Sequence, residues 1–243
     1  MLPATYTHAM NARVMILLPA YNEGSRIGTV IAGIRSVFAE ADMTVVDDGS
    51  GDDTGLQALK AGATVLTLPF NLGYGVALQA GYKHALREGY KYVVQMDADG
   101  QHDPGSIPAV LGPVAEDRCD LCIGSRFLEG KSYPIPPGRR LGMAILRRVA
   151  SRLTGRTVTD PTSGFQAMNR RVLEFYARDS FPVDYPDVDV LVMLHHHGFR
   201  VLEVPVTMHP RTSGMSLHSG LKPVYYLFKM GVDIPLNLLR REK

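Results

Sequence analysis

Two pairs of aspartates each follow a short apolar run. Asp97 and Asp99 come directly after the run Tyr92–Met96, and Asp47 and Asp48 end a similar run earlier in the chain. Two carboxylates held close together at the end of a buried strand are costly unless a cation is near. Oxygen ligands suit Mg²⁺ or Mn²⁺, and Mg²⁺ commonly takes one or two carboxylates together with substrate phosphates. An isolated Asp-x-Asp is more often a solvated turn, but its position after a strand favours a metal–diphosphate site.

The elements around these pairs alternate between strands and helices. Apolar residues at helical spacing predict helices at 27–38, 56–60 and 76–87, with Ser25 as the N-cap of the first. The predicted strands are 13–18, 43–46, 63–68, 92–96 and 121–123. Such alternation implies βαβ units and a mainly parallel sheet. Ligands of open parallel sheets bind beyond the carboxyl ends of the strands, which is where the acidic pairs lie.

The regular alternation weakens after residue 127. Residues 131–139 are rich in Pro and Gly and predict a mobile loop. Later predicted elements are helices at 141–153 and 188–197 and a strand at 200–206, which Pro205 assigns to a sheet edge. Residues 222–241 combine aromatic and aliphatic side chains with a basic end. This segment could lie on a membrane surface, on the catalytic domain or on a homodimer partner, and the three alternatives stay open.

The composition is that of an ordinary globular chain. Its 243 residues, 45% hydrophobic and 21% charged, suit one large α/β domain or two small ones. No apolar stretch approaches the ~20 residues that span a bilayer. The N-terminus does not resemble a signal peptide, and two cysteines cannot form a disulfide framework. A cytoplasmic location is therefore expected.

The net charge of +2 is unevenly distributed. Residues 1–125 carry 8 basic and 14 acidic side chains, a net charge of −6. Residues 126–171 carry 10 basic and 2 acidic side chains, a net charge of +8. This asymmetry indicates two binding surfaces of opposite charge, with a solvated basic helix face as the simpler alternative. A nucleic-acid partner would explain the basic stretch but not the acidic pairs, so none is expected.

A glycine-rich loop, Gly73-Tyr74-Gly75, could cradle a phosphate. It follows the third predicted strand, however, and Leu78 stands where the dinucleotide-binding fingerprint needs a glycine. No loop has the full Gly-x-x-x-x-Gly-Lys-Ser/Thr pattern either. A dehydrogenase or a P-loop protein therefore has little support.

Seven short motifs carry a family resemblance. They are Pro19–Gly24 (PAYNEG), Asp47–Ser50 (DDGS), Asn71–Gly75 (NLGYG), Asp97–Pro104 (DADGQHDP), Gly124–Phe127 (GSRF), Asp160–Phe165 (DPTSGF) and Arg211–Ser216 (RTSGMS). In this order they make the chain, from about Val14 to Leu239, similar to the family 2 inverting glycosyltransferases of the GT-A fold. The most similar subgroup is that of the polyprenyl-phosphate sugar synthases of the dolichol-phosphate mannose synthase type.

The resemblance implies an α/β fold of the GT-A (nucleotide-diphospho-sugar transferase) type, with a mainly parallel central sheet flanked by helices and a C-terminal helical segment. It also implies a domain layout. The segments are a tail at 1–12, a catalytic domain at 13–218 with a nucleotide-sugar half at 13–125 and an acceptor half at 126–218, and an amphipathic segment at 219–243.

On the donor side, the resemblance implies a nucleoside diphosphate sugar with UDP or GDP. The residues implied to hold it are Pro19, Tyr21, Glu23, Asp48, Gly73, Asp97, Ala98 and Asp99. Asp48 is favoured over Asp47 for the base or ribose, because carboxylates accept hydrogen bonds from ribose hydroxyls and base N–H groups. Asp97, Asp99 and Gln101 would hold Mg²⁺ or Mn²⁺, which would neutralise the leaving diphosphate.

On the acceptor side, the arginines implied near phosphate are Arg126, Arg211 and either Arg139 or Arg140, since the guanidinium fork recognises phosphate well. A lipid phosphate would be its own nucleophile, whereas a hydroxyl acceptor should need a carboxylate base. Asp187 is the first candidate for that base and Asp160 the second. The sequence Pro186-Asp187 departs from the acidic pair that many relatives carry there, which leaves the assignment of Asp187 open.

The expected function is a metal-dependent inverting glycosyltransferase that moves a sugar to a polyprenyl phosphate or a glycan, at most peripherally on the inner face of the membrane. A sugar-nucleotide pyrophosphorylase is one alternative, but such enzymes usually carry a Gly-rich first loop with Arg or Lys where this chain has PAYNEG. A non-catalytic sugar-nucleotide binding protein is another. Such a protein would tolerate the loss of the metal ligands, yet Asp97, Asp99 and Gln101 are all present.

Overall fold

The strands form one seven-stranded sheet in the order β3-β2-β1-β4-β6-β5-β7. The computed structural model describes residues 13–128, 137–182, 184 and 186–209. The strands are β1 Val14–Ala20, β2 Asp42–Asp47, β3 Thr64–Thr67, β4 Tyr92–Gln95, β5 Leu121–Ser125, β6 Gln166–Asn169 and β7 Val201–Pro205. Only β6 runs antiparallel to its neighbours, β4 and β5, so the predicted mainly parallel sheet is confirmed.

Helices cover the sheet. They are α1 Gly24–Val37, α2 Thr54–Lys60, α3 Tyr74–Arg87, α4 Ile107–Ala115, α5 Pro137–Thr154, α6 Arg170–Tyr176 and α7 Val188–His196. A 3₁₀ turn at Pro104–Ser106 precedes α4. No helix among the described residues is long and apolar enough to cross a membrane.

The first strand shows why the sheet needs helices on both sides. Ile16 and Leu18 pack into one apolar cluster, whereas Met15 and Leu17 pack into another, and all four are fully buried. Alternate side chains of a strand point to opposite faces, so a continuous apolar run is what a strand covered on both faces requires.

Helix α3 lies unusually close to the sheet. A Cβ atom at Gly81 would overlap the Leu17 side chain of β1. Any larger residue at position 81 would therefore displace the buried Leu17 side chain or push α3 outward. The consequence matters for function, because α3 begins at Tyr74, beside the polar loops that end the strands.

The structure corrects several sequence predictions. Strand β6 and helices α4 and α6 were not predicted, and β6 lies inside the sheet. Its four residues, QAMN, contain no β-branched or aromatic side chain, so neither composition nor length marks them as a strand. Residues 137–139, predicted as loop, begin α5. Helix α1 begins at Gly24 with Glu23 in the N-cap position, so Ser25 is not the cap.

Other predictions about the second half are confirmed or fall outside the described residues. Among the described strands β7 lies at the edge of the sheet and pairs with β5, and Pro205 is its last residue. The tail 1–12, the C-terminal segment 219–243 and the motif Arg211–Ser216 lie outside the described residues.

The contact between α3 and β1 predicts opposite effects for two helical glycines. Gly81→Ala should lower the free energy of unfolding by about 1–3 kcal/mol, because the added methyl group overpacks against Leu17. Gly28→Ala should raise it by about 0.5–1 kcal/mol, since no described residue lies within 4 Å of a Cβ at that position in α1. Urea denaturation of both variants measures the two changes, and a stabilising Gly81→Ala would contradict the packing described.

Candidate active site

The carboxyl ends of β1, β2 and β4 meet at one edge of the sheet, and hydrogen bonds join the loops that follow them. The Asn22 N–H donates to Ser50 Oγ over 3.0 Å, and the Gly51 N–H donates to Asn22 Oδ1 over 2.8 Å. The Glu23 N–H donates to Thr54 Oγ1 over 2.9 Å. The loops after β1 and β2 are therefore one hydrogen-bonded unit.

Three predicted nucleotide-binding residues lie in or beside this unit. Tyr21 is 48% exposed, so its ring is accessible from solvent. Glu23 is buried and bound to Arg26, with 2.6 Å between Oε2 and Nη1. Pro19, near the end of β1, is buried. Tyr21 has the open surface that contact with a ligand needs, while Pro19 shapes the strand end beneath it.

The carboxylate of Asp48 organises the loop before α3. Its Oδ1 accepts a hydrogen bond from the Leu72 N–H over 2.8 Å, and its Oδ2 accepts one from the Gly73 N–H over 2.9 Å. Gly73 has φ 101°, a backbone conformation that favours glycine. Asp48 thus fixes the position of Gly73, a role that the sequence did not predict; contact with ribose or base stays a prediction.

Asp97, Ala98, Asp99 and Gln101 occupy one turn after β4. The Gln101 N–H donates to Asp99 Oδ1 over 3.0 Å, and Gln101 Nε2 donates to the carbonyl of His209 over 3.3 Å. The second bond fixes the orientation of the Gln101 amide. Ala98 is buried beneath the turn.

The donor set of this turn fits a divalent cation. Asp97, Asp99 and Gln101 supply the oxygen ligands that Mg²⁺ and Mn²⁺ prefer. No group of three or more His, Cys, Asp or Glu side chains that could hold a metal occurs among the described residues. A cation would therefore need the Gln101 oxygen and oxygens from substrate or water, which is common for Mg²⁺.

His102 is buried next to this turn and contacts its backbone. Its Nδ1 accepts a hydrogen bond from the Asp97 N–H over 3.1 Å, and its ring stacks on Phe165 with 5.0 Å between centroids. Burial lowers the pKa of His102 to about 4, with the charge of Arg126 adding to the effect and those of Asp99 and Asp160 opposing it. The imidazole is therefore neutral at pH 7 and lies within the fields of both Asp99 and Arg126.

Arg126 is held by Asp160. Arg126 Nε and Nη2 each donate to an Asp160 oxygen over 2.7 Å, and the Arg126 N–H donates to Oδ2 over 3.1 Å. The Asp160 side chain is fully buried, whereas that of Arg126 is 18% exposed. This bidentate pair satisfies both Asp160 oxygens and aims the guanidinium. The arrangement favours a positioning role for Asp160 over that of a catalytic base.

Glu203 of β7 holds the segment that carries Asp160. Its carboxylate accepts hydrogen bonds from the backbone N–H groups of Thr159 and Asp160, at 2.8 and 2.9 Å, and from the Thr159 hydroxyl at 2.8 Å. Glu203 therefore supports Arg126 through Asp160. The sequence did not predict this role, because 43 residues separate the two carboxylates and no motif links them.

Arg147 of α5 is a second guanidinium beside Arg126. Its Cζ lies 3.8 Å from the centre of the Phe127 ring, and the Cζ of Arg126 lies 5.4 Å from the same ring. Arg147 Nε and Nη2 are buried and have no hydrogen-bond partner among the described residues. Leaving charged donors unpaired is costly, so this pair of atoms suits an anion. No sequence motif distinguishes Arg147 from its basic neighbours.

The remaining predicted site residues are located as follows. Asp187 occupies the N-cap position of α7, and its charge contributes, after burial and Asp97, to raising the pKa of Tyr74 well above its usual value. Asp187 thus lies within electrostatic reach of the turn after β4. Arg140 is exposed. Arg139 lies in α5, but its side chain is outside the described part, as is all of Arg211.

This arrangement of sheet and carboxylate turn defines a glycosyltransferase of the GT-A fold. Glucosyl-3-phosphoglycerate synthase from Mycobacterium tuberculosis, in complex with phosphoglyceric acid, aligns with a TM-score of 0.69 and 20% identity over 99% of this chain and 85% of that chain. The same enzyme in complex with Mn²⁺, UDP-glucose and phosphoglyceric acid aligns with a TM-score of 0.68 and 22% identity, with the same coverage. At these identities the alignments show the fold alone.

The chain belongs to glycosyl transferase family 2, whose model matches residues 15–176. Polyprenol monophosphomannose synthase of Mycolicibacterium smegmatis is 33% identical over 90% of this chain and 85% of that protein. Undecaprenyl-phosphate mannosyltransferase of Micrococcus luteus is 33% identical over 86% of this chain and 88% of that protein. The expected family and the expected glycosyltransferase activity are confirmed.

The Arg126–Asp160 pair predicts a large loss of stability on truncation. Asp160→Ala should lower the free energy of unfolding by about 3 kcal/mol, because it leaves a partly buried guanidinium without its partner. Asp179→Ala, which removes a fully exposed partner of Lys83, is the matched control and should leave the free energy of unfolding unchanged. Urea denaturation compares the two, and equal effects would contradict a supporting role for Asp160.

Proposed function

We propose that the chain transfers a hexose from a nucleoside diphosphate hexose to a polyprenyl phosphate, with inversion at the anomeric carbon and with a divalent cation. The observation that carries this proposal is the contact between the carboxylate turn after β4 and the segment that carries Arg126. His102 accepts a hydrogen bond from the Asp97 N–H and stacks on Phe165. The Phe165 carbonyl in turn accepts a hydrogen bond from the N–H of Gly124, two residues before Arg126. An acidic turn suited to a metal–diphosphate and a basic segment suited to a second phosphate are thus neighbours in the fold.

The donor end is supported by the oxygen donors of the turn after β4. Asp97, Asp99 and Gln101 would hold Mg²⁺ or Mn²⁺, and a bound cation would neutralise the leaving diphosphate. The loops that carry Tyr21 and Gly73 would enclose the nucleotide, since both lie at the same edge of the sheet. The Mn²⁺ and UDP-glucose complex of the structurally similar synthase agrees with this use of the fold.

The acceptor is proposed from the relatives and from the chemistry of its nucleophile. Two relatives at 33% identity are named polyprenol monophosphomannose synthase and undecaprenyl-phosphate mannosyltransferase. An oxygen of such a phosphate would form the new bond to the anomeric carbon while the bond to the diphosphate oxygen breaks. A phosphate oxyanion carries no proton that must be removed, so this reaction needs no protein base. Asp187 would be needed as a base only for a hydroxyl acceptor.

Helix α5 is the proposed docking element for the lipid. Leu146 and Ala150 pack against Val188 and Val192 of α7, which fixes the buried face of α5. The exposed face presents Ile145, Arg148 and Arg152. Apolar and cationic side chains on one exposed helix face suit the surface of an anionic membrane, so we propose peripheral contact there.

The donor assignment predicts loss of transfer in Asp99→Asn. Incubation with Mn²⁺, undecaprenyl phosphate and a panel of GDP- and UDP-hexoses should yield a lipid-linked hexose, detected by mass spectrometry. Asp99→Asn should reduce the rate by about 100-fold or more, since a cation ligand stabilises the leaving group by several kcal/mol.

Asp103→Asn is the matched control for Asp99→Asn. It makes the same change of charge four residues away, and asparagine can still cap the 3₁₀ turn as Asp103 does. Its rate should equal that of the unchanged protein. Transfer to a glycan but not to the lipid would overturn the acceptor assignment, and absence of turnover with every donor would overturn the proposed reaction.

The unpaired atoms of Arg147 predict a defect confined to the acceptor. Arg147→Ala should raise the KM for undecaprenyl phosphate about tenfold, the usual scale for a charge-assisted hydrogen bond, and leave the KM for the donor unchanged. Arg156→Ala, at an exposed position just after α5, controls for the loss of one positive charge in this part of the chain. A defect of equal size in both variants would indicate a general effect of charge instead of a contact with phosphate.

A further inference from the structure

A chain of hydrogen bonds leads from the core to Asp97. Tyr82 donates to Gln95 Oε1, Gln95 Nε2 donates to the Tyr74 hydroxyl oxygen over 3.1 Å, and the Tyr74 hydroxyl donates to Asp97 Oδ1 over 2.8 Å. The direction of this chain is fixed by chemistry. An amide oxygen only accepts and an amide nitrogen only donates, so Tyr74 receives the Gln95 bond and has its own proton for Asp97.

The inner end of this chain is rigid. Tyr82 is 1% exposed, and its ring lies 5.3 Å from that of Tyr176 and 5.6 Å from that of Phe181. Gln95 is 3% exposed and is the last residue of β4. Packed aromatic rings and a strand end have few alternative positions, so Gln95 has a fixed orientation.

The outer end of the chain is enclosed as well. A Cβ at Gly164 would lie 2.9 Å from the Tyr74 hydroxyl and 3.0 and 3.1 Å from the two Asp97 oxygens. A side chain at position 164 would therefore collide with both partners of the hydrogen bond, so only glycine leaves room for them.

Tyr74 also connects the turn after β4, which carries Asp97 and Asp99, to the loop before α3. Asp48 holds the N–H groups of Leu72 and Gly73, and Tyr74 is the next residue along the chain. A carboxylate at the end of β2 is thereby connected, through this loop and Tyr74, to the carboxylate at the end of β4. Movement of the loop would be transmitted to Asp97 through one hydroxyl group.

We infer that Tyr74 is a positioning residue, which orients the Asp97 carboxylate for the divalent cation and couples cation binding to the loop that Asp48 holds. The inference rests on the proposed function, in which Asp97 is a cation ligand. Partners that orient a metal ligand typically change metal affinity 10- to 100-fold when they are removed. Tyr74→Phe removes only the hydroxyl and keeps the ring, so it isolates this contribution.

The test is Mn²⁺ binding to the full chain without any donor, measured by electron paramagnetic resonance. Tyr74→Phe should weaken Mn²⁺ binding about tenfold or more, and Tyr82→Phe, two hydrogen bonds further from Asp97, should weaken it less. Tyr90→Phe is the matched control. The Tyr90 hydroxyl also donates to an aspartate, Asp42 Oδ2 over 2.8 Å, but Asp42 begins β2 instead of ending a strand at the site. The Mn²⁺ affinity of Tyr90→Phe should equal that of the unchanged protein.

A second measurement separates positioning from a general loss of structure. In Tyr74→Phe the Mn²⁺ concentration for half-maximal transfer should rise by the same factor as the dissociation constant, while saturating Mn²⁺ should restore most of the rate. Equal Mn²⁺ affinity in Tyr74→Phe and Tyr90→Phe would overturn the inference alone. Failure of the unchanged protein to bind Mn²⁺ without nucleotide would overturn the inference, and failure to bind it with UDP and with GDP as well would also overturn the cation in the proposed function.

Discussion

Repulsion between carboxylates at the carboxyl edge of the sheet is the constraint on which the rest of the site depends. Asp47, Asp48, Asp97 and Asp99 all lie where parallel strands end, and burial makes unbalanced charge there costly. The protein balances part of this charge with backbone donors. Ser50 donates to Asp47, two amides of the next loop donate to Asp48, and the turn after β4 closes on Asp99. The loops take their shapes from these bonds. The same hydrogen bonds therefore offset the negative charge and determine the shape of the site.

In the acceptor half, an arginine side chain balances the charge of a buried carboxylate. Asp160 is fully buried, and its partner Arg126 both neutralises it and stays partly open to solvent. Glu203 supports this pair from the edge strand β7. Arg147 has no such partner among the described residues, which leaves it suited to an anion that the protein itself does not supply. Carboxylates suited to a cation and an arginine suited to a phosphate thus follow the carboxyl ends of β4 and β5 at the same edge of the sheet, as a transfer between two phosphate groups requires.

The sequence predicted the parts of this arrangement that depend on local pattern. The two-sided burial of β1 follows from its unbroken apolar run, and the acidic turns follow from their place after strands. Strand β6 was missed because pairing on both sides, not local propensity, makes its four residues a strand. The supporting contacts of Glu203 and Tyr82 were also missed, since they join residues that only the fold brings together. Asp48 was predicted as a ligand contact, and its bonds to Leu72 and Gly73 depend on a loop 24 residues away.

The central claim is that the turn after β4 holds a divalent cation between the protein and a nucleoside diphosphate. The direct measurement is anomalous diffraction from crystals grown with Mn²⁺ and UDP or GDP. The account predicts one strong Mn²⁺ peak within about 2.3 Å of oxygens from Asp97, Asp99 and Gln101, with the remaining ligands from the diphosphate and water. A nucleotide bound at this edge of the sheet with its Mn²⁺ held by other residues, or with no Mn²⁺ at all, would contradict it.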